Sequence, residues 1–166
     1  MKIPTYVLAG TTAGAVLLGA ALSPTAADAS AKGTFGVKAG YEGVHLGQSL
    51  KKVKAAGKVH GPTKGWSCAF VTFKSHRKHS HTLELAVSKK YGVAQIIAPK
   101  GARTARGIGL GSSLTQVKKA YPRFHLGEHA WEIPLPGYPH FIFGLDIEKN
   151  RVKELWLEKR PQDCFN

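Results

Sequence analysis

Gly43-Val-His-Leu-Gly-Gln-Ser-Leu-Lys-Lys-Val-Lys-Ala-Ala-Gly57 is written a second time, with changes, as Gly107-Ile-Gly-Leu-Gly-Ser-Ser-Leu-Thr-Gln-Val-Lys-Lys-Ala-Tyr121. Leu46, Gly47, Ser49, Leu50, Val53 and Lys54 fall on Leu110, Gly111, Ser113, Leu114, Val117 and Lys118 at a constant offset of 64. A self-match of this kind marks a repeated structural unit. In each copy a short apolar strand end meets a glycine, a serine comes next, and a helical pattern begins. Ser49 and Ser113 suit the N-cap, where a hydroxyl accepts from an orphan amide of the first turn. Gln116, three residues after Ser113, fits a capping box. Leu50 with Val53, and Leu114 with Val117, put apolar side chains on one helix face. Gly57 ends the first helix and Pro122 the second. Helices this short are not stable alone and must pack on something.

Downstream of each copy the chain reads as strands. Trp66–Phe73 is aromatic and β-branched. Lys74–His81 is a basic hairpin loop, Thr82–Val87 alternates apolar and polar residues, and Gly92–Ala98 is another strand. In the second half the strand segments are Ala130–Leu135, His140–Ile147 and Arg151–Glu158, with a turn at Pro136–Pro139. The expected fold is α+β: two tandem repeats of a short helix followed by an antiparallel β-meander, the helices packed on one sheet face. The repeats span 42–98 and 107–166, joined by a linker at 99–106.

The chain begins with Lys2 and an apolar run from Ile3 to Leu22, then Ala27-Asp28-Ala29. This reads as a secretory signal peptide over 1–29, with an uncleaved membrane anchor as the alternative. A flexible tail is expected over 30–41, and no membrane span in the mature chain. The expected localisation is therefore extracellular. In an exported chain the two cysteines, Cys68 and Cys164, favour a disulfide, with two unpaired thiols as the alternative. On the chain-entropy model such a bridge is worth up to about 4.7 kcal/mol.

The net charge of +14 is uneven. From Leu50 to Arg106 there are thirteen Lys/Arg and one acid, Glu84; from Gly107 to Asn166 there are eight against seven. The candidate polyanion-binding residues are Lys51, Lys52, Lys54, Lys74, Arg77, Lys78, Lys89 and Lys90. His76, His79 and His81 are a weak metal candidate, because Arg77 and Lys78 sit among them and oppose a cation. No metal and no cofactor is expected, and no motif of specific nucleic-acid recognition is present. Catalysis has little support: Ser49 and Ser113 are explained as caps, and no nucleophile elbow or phosphate loop is found.

Thr104-Ala-Arg-Gly-Ile-Gly-Leu-Gly-Ser-Ser-Leu-Thr-Gln-Val-Lys-Lys-Ala-Tyr-Pro122, followed by a strand meander and the near-terminal Cys164, resembles a class of small secreted bacterial proteins of uncharacterised function. The Leu-Gly-x-Ser-x-x-x-Val element, the leader and the tandem helix-plus-sheet pattern are similar to the secreted β-lactamase-inhibitory protein family. That resemblance implies a binding module that uses an open sheet face. It departs at the cysteines, which that family pairs within its halves and which here stand in different halves. No binding residue of the family matches a position here. The candidate partner-binding residues come from this chain alone: Trp131, Tyr138, His140, Glu154 and Trp156, large or charged side chains on the last strands and the Pro134–His140 loop. The expectation is a secreted, monomeric, non-catalytic protein-interaction or inhibitor-like module. The alternatives are a binder of anionic cell-envelope polymer through the basic half and a small extracellular hydrolase.

Overall fold

The computed structural model describes residues 33–64, 67–76 and 84–165. The leader, Trp66, Arg77, Lys78, His79 and His81 lie outside them. Among the described residues the strands are β1 (Thr34–Phe35), β2 (Gly40–Tyr41), β3 (Val44–His45), β4 (Val59–Lys64), β5 (Cys68–Phe73), β6 (Leu85–Ser88), β7 (Gly92–Ile97), β8 (Arg103–Thr104), β9 (His125–Leu126), β10 (Trp131–Pro134), β11 (Phe141–Glu148) and β12 (Arg151–Lys159). The α-helices are α1 (Leu50–Ala55) and α2 (Leu114–Ala120). Eight strands form one antiparallel sheet in the order β4-β5-β6-β7-β12-β11-β10-β9. β1 pairs with β8, and β2 with β3, in two small ribbons.

This corrects the expected α+β class of two tandem helix-plus-meander repeats: the protein is mostly β, and one large sheet replaces two units. The sequence match around Leu46 and Leu110 covers a helix and its entry, and it says nothing about how strands pair. β12 pairs directly with β7, at Trp156↔Ile97, Leu157↔Ile96 and Glu158↔Gln95, so the strands after α1 and those after α2 are one continuous layer. The helices are six and seven residues long and are anchored by single buried valines, Val53 and Val117.

The Leu-Gly-x-Ser segments work locally as the pattern implies. Gly47 and Gly111 have φ of 81° and 84°, a left-handed turn that glycine adopts without cost. Gly47 N donates to Val93 O and Gly111 N to Val152 O, docking each turn on the sheet. Ser49 Oγ accepts from Lys52 N, and Ser113 with Gln116 closes a full capping box.

Cross-strand register separates the two faces. Ile133, Phe143, Leu157, Ile96, Leu85 and Val71 stand opposite one another across six strands, and all are buried. Burying each such side chain is worth about 2 kcal/mol. The described part of the segment expected to be a loose tail, residues 33–41, belongs to this layer: Phe35, Ala39 and Tyr41 are buried. The expected linker at 99–106 also contributes, through buried Ala102 and Thr104 and strand β8. On the opposite face Pro134, Ile142, Glu158, Gln95 and Phe70 are half-buried and Ala86 between the last two is buried, and no described helix covers them.

Cys68 and Cys164 form the disulfide, with Cα atoms 5.7 Å apart. It ties β5 to the segment after β12 across β6 and β7, and Phe165 packs edge-on against Phe70. No helix among the described residues is long and apolar enough to cross a membrane. Replacing both cysteines with alanine is expected to lower unfolding free energy by about 3–4 kcal/mol. Denaturant titration checks this; an unchanged midpoint would show that the bridge carries no stability.

Candidate functional site

The uncovered face carries a compact polar and aromatic cluster. His125, Glu132, Gly144, Trp156 and Ile97 share one cross-strand row through β9, β10, β11, β12 and β7. Gly144 leaves the space that the Trp156 ring occupies: a Cβ there would sit 2.1 Å from the indole. Trp156 Nε1 donates to Glu158 Oε2 at 2.9 Å. Arg160, just beyond β12, donates from both terminal nitrogens to Glu132, at 2.7 and 3.2 Å, and from Nε to Glu158 at 3.2 Å. Such fork-to-carboxylate pairing fixes direction as well as charge. Burial works against the Arg160 cation, but its bonds to Glu132 and Glu158 prevail, and its pKa is raised. Glu132 is buried, and without the guanidinium it would keep only the more distant His125 Nε2, 3.9 Å from Oε2, as an ionisable neighbour. Arg160→Ala is expected to cost about 2 kcal/mol in denaturant unfolding. A cost close to zero would mean that water already compensates Glu132.

The five expected partner residues do not form one surface. Glu154 and Trp156 lie on β12, out of phase with buried Leu155 and Leu157, on the uncovered face. Trp131 is in register with buried Leu145 and stacks on Phe124, centroids 4.7 Å apart, on the core side. Tyr138 stacks on Phe141 at 5.7 Å and packs against the core. His140 is exposed at the end of its loop, its carbonyl accepting from Arg160 N. Glu132 and Arg160, the centre of the cluster, escaped sequence reading. Arg160 comes after a strand with no pattern to mark it, and Glu132 read as an ordinary polar residue of a short edge strand.

A second polar cluster sits at the other end of the sheet. His76 Nδ1 lies 2.8 Å from Glu84 Oε1, and Nε2 lies 3.4 Å from Glu42 Oε1. Glu84 Oε2 accepts from Phe73 N, and Glu42 Oε2 accepts from Ser75 Oγ. Glu84, the one acid in the basic stretch, is thus the buried partner that holds the start of its loop. Both nitrogens of His76 face carboxylates. Among the described residues the grouping of metal-donor types that converges is Cys68, Asp163 and Cys164, and the disulfide uses its two sulfurs.

Tyr41 is buried beside this cluster, and among the described residues its hydroxyl makes no hydrogen bond of good geometry, although Glu42 lies near enough to act on it. Burial, then the nearby Glu42 and Glu84 charges, pushes its pKa up to about 12. Because ionisation is disfavoured in the folded state, stability is unaffected below the unfolded pKa of 10 and falls as pH rises from there toward 12. Tyr41→Phe is therefore expected to be neutral or stabilising by up to about 1 kcal/mol at pH 7. It should also flatten the fall in stability between pH 10 and 12. Denaturant midpoints at about pH 7 and pH 11 test this, and a clear loss at the lower pH would reveal a partner for the hydroxyl.

Of the basic set, Lys51, Lys52 and Lys54 project from α1, Lys74 from the turn after β5, and Lys89 and Lys90 from the β6–β7 turn; all are exposed. Lys90 and Lys159 each place Nζ 4.9 Å from the Tyr91 ring centroid. Comparisons with protein-family models, with curated proteins and with solved structures find no match to this chain.

Proposed function

We propose that the protein acts by binding another protein on its uncovered sheet face, centred on Trp156. The observation that carries this is the Trp156–Glu158–Arg160–Glu132 network, in which an aromatic ring and a guanidinium are already held in place. Tryptophan and arginine are the side chains on which interface energy concentrates. Fixing them beforehand lowers the entropy lost on binding. The half-buried Pro134 and Ile142 beside them supply an apolar surround. In this reading the protein is exported and non-catalytic.

A second reading, adhesion to an anionic envelope polymer, draws support from Lys51, Lys52, Lys54 and Lys74. They are exposed, and no carboxylate among the described residues lies within ion-pair distance of them. Contacts of that kind are screened within a Debye length of about 8 Å at 0.15 M salt.

The two readings separate in one experiment. Immobilised oxidised protein is exposed to spent medium and envelope extract and then washed with a salt gradient. The expected result is a discrete protein that stays bound through the gradient and whose affinity falls about 30-fold or more with Trp156→Ala. Loss of all retained material at a few hundred millimolar salt, unaffected by Trp156→Ala but abolished by neutralising Lys51, Lys52 and Lys54, would assign the function to the basic half.

A further inference from the structure

The helix-bearing side of the molecule has an open cavity of about 220 Å³. Its walls include Phe35, Tyr121, Tyr138 and Phe143, drawn from β1, the end of α2, the loop before β11, and β11 itself. The rings pack as a set: Phe143 lies 6.1 Å from Phe35 and 6.0 Å from Tyr121, centroid to centroid. Two cations, Lys38 and Arg106, also line it, and both are exposed. Among the described residues no carboxylate comes within ion-pair distance of either. The cavity is thus apolar and aromatic inside, with uncompensated positive charge on its lining.

The Arg106 side chain is held, and Lys38 is fixed at its backbone. Arg106 sits over the Tyr121 ring, 5.3 Å from its centroid, and donates to the Ala120 carbonyl. Lys38 has φ of 52° and is followed by Ala39 at 53°, a left-handed pair without glycine. Non-glycine residues adopt that backbone only where the surroundings enforce it. Here His45 Nδ1 donates to Lys38 O, and Gly36 N to Gly40 O.

We propose that this cavity is a binding site for a small aromatic carboxylate. The ring would lie against Val37, Pro136 and Tyr138, the accessible apolar residues of the lining, and the carboxylate would be met by Arg106 and Lys38. The size argues for a free acid of one ring and a short arm, since drug-sized ligands occupy about 300–1,000 Å³. The charge argues against a neutral ligand, because nothing else among the described residues balances the two cations. The site lies on the opposite side of the sheet from Trp156 and does not depend on the function proposed for that face.

The test uses the full oxidised protein with 3-phenylpropionate, followed by amide chemical shifts in NMR. Two controls divide the ligand: 3-phenylpropanamide keeps the ring without the charge, and propionate keeps the charge without the ring. Saturable shifts at Phe35–Lys38 and Tyr138 are expected with 3-phenylpropionate, at least tenfold weaker binding of the amide, and none measurable for propionate. Arg106→Gln and Lys38→Gln should each weaken binding about tenfold; the second serves should the first disturb α2. Arg123→Gln, which removes an exposed charge elsewhere, should leave it within twofold. Equal binding of acid and amide, no binding of the acid at millimolar concentration, or indifference to both lining substitutions would overturn the proposal. So would a peptide ending in phenylalanine that binds tenfold more tightly than the free acid, since the cavity would then belong to chain termini.

Discussion

The pairing of β7 with β12 is the constraint on which the rest of the structure depends. Without it the strands after α1 and those after α2 would be separate ribbons, each with one helix too short to stand alone. With it, Ile96 and Leu157 meet in the middle of a single buried row, and the layer above them has one floor. The disulfide reinforces the same seam from the other side, since Cys164 lies beyond β12 and Cys68 lies on β5. A loop closure spanning 96 residues removes freedom mainly from the unfolded chain. The seam and the bridge therefore act at different points, one on the native sheet and one on the ensemble that competes with it.

The features legible in the sequence were local. Ser49 and Ser113 cap helices because a hydroxyl before an apolar i, i+3 pair has few other uses, and the structure forms both caps. Gly47 and Gly111 occupy left-handed turns, which is why the Leu-Gly-x-Ser segment appears twice. The alternation of Phe141, Phe143, Leu145 and Ile147, and of Leu155 and Leu157, reads as the inward face of β11 and β12, and the structure packs all six against the core. The pairing of distant strands was not legible. Nothing in Ile96 or Leu157 names the other, and a repeat at helix entries says nothing about a shared sheet. Strands β4 and β9 also carry little signal: β4 contains Gly61-Pro62 at an irregular register, and β9 is two exposed residues. The Thr34–Tyr41 segment reads as loose because it is rich in small residues, yet Phe35 and Tyr41 are nearly inaccessible.

The candidate site shows the same division. Strand alternation alone places Trp156 and Glu154 on the uncovered face. It cannot place Glu132 and Arg160, because their relation depends on β10 lying two strands from β12 and on the chain turning back after Lys159. The cluster is buildable only because position 144 is glycine. Any side chain there would collide with the indole and push Trp156 off the sheet, away from Glu158.

The two sides of the sheet carry opposite kinds of surface, and their chemistry explains why one set of aromatic residues could not have made a single patch. On the uncovered side the central charges are already paired: Arg160 contacts both Glu132 and Glu158, so a partner gains from shape and from excluding water around a preset network. On the helix-bearing side no carboxylate among the described residues answers Lys38 or Arg106, so a ligand gains by bringing the missing charge. Trp131 and Tyr138 fall on the second side because the parity of β10 and the turn after Pro134 aim them there. Trp156 falls on the first because it is one residue out of phase with Leu155 and Leu157. A sheet separates neighbours in sequence by its period of two, so residues of similar chemistry sort to opposite surfaces.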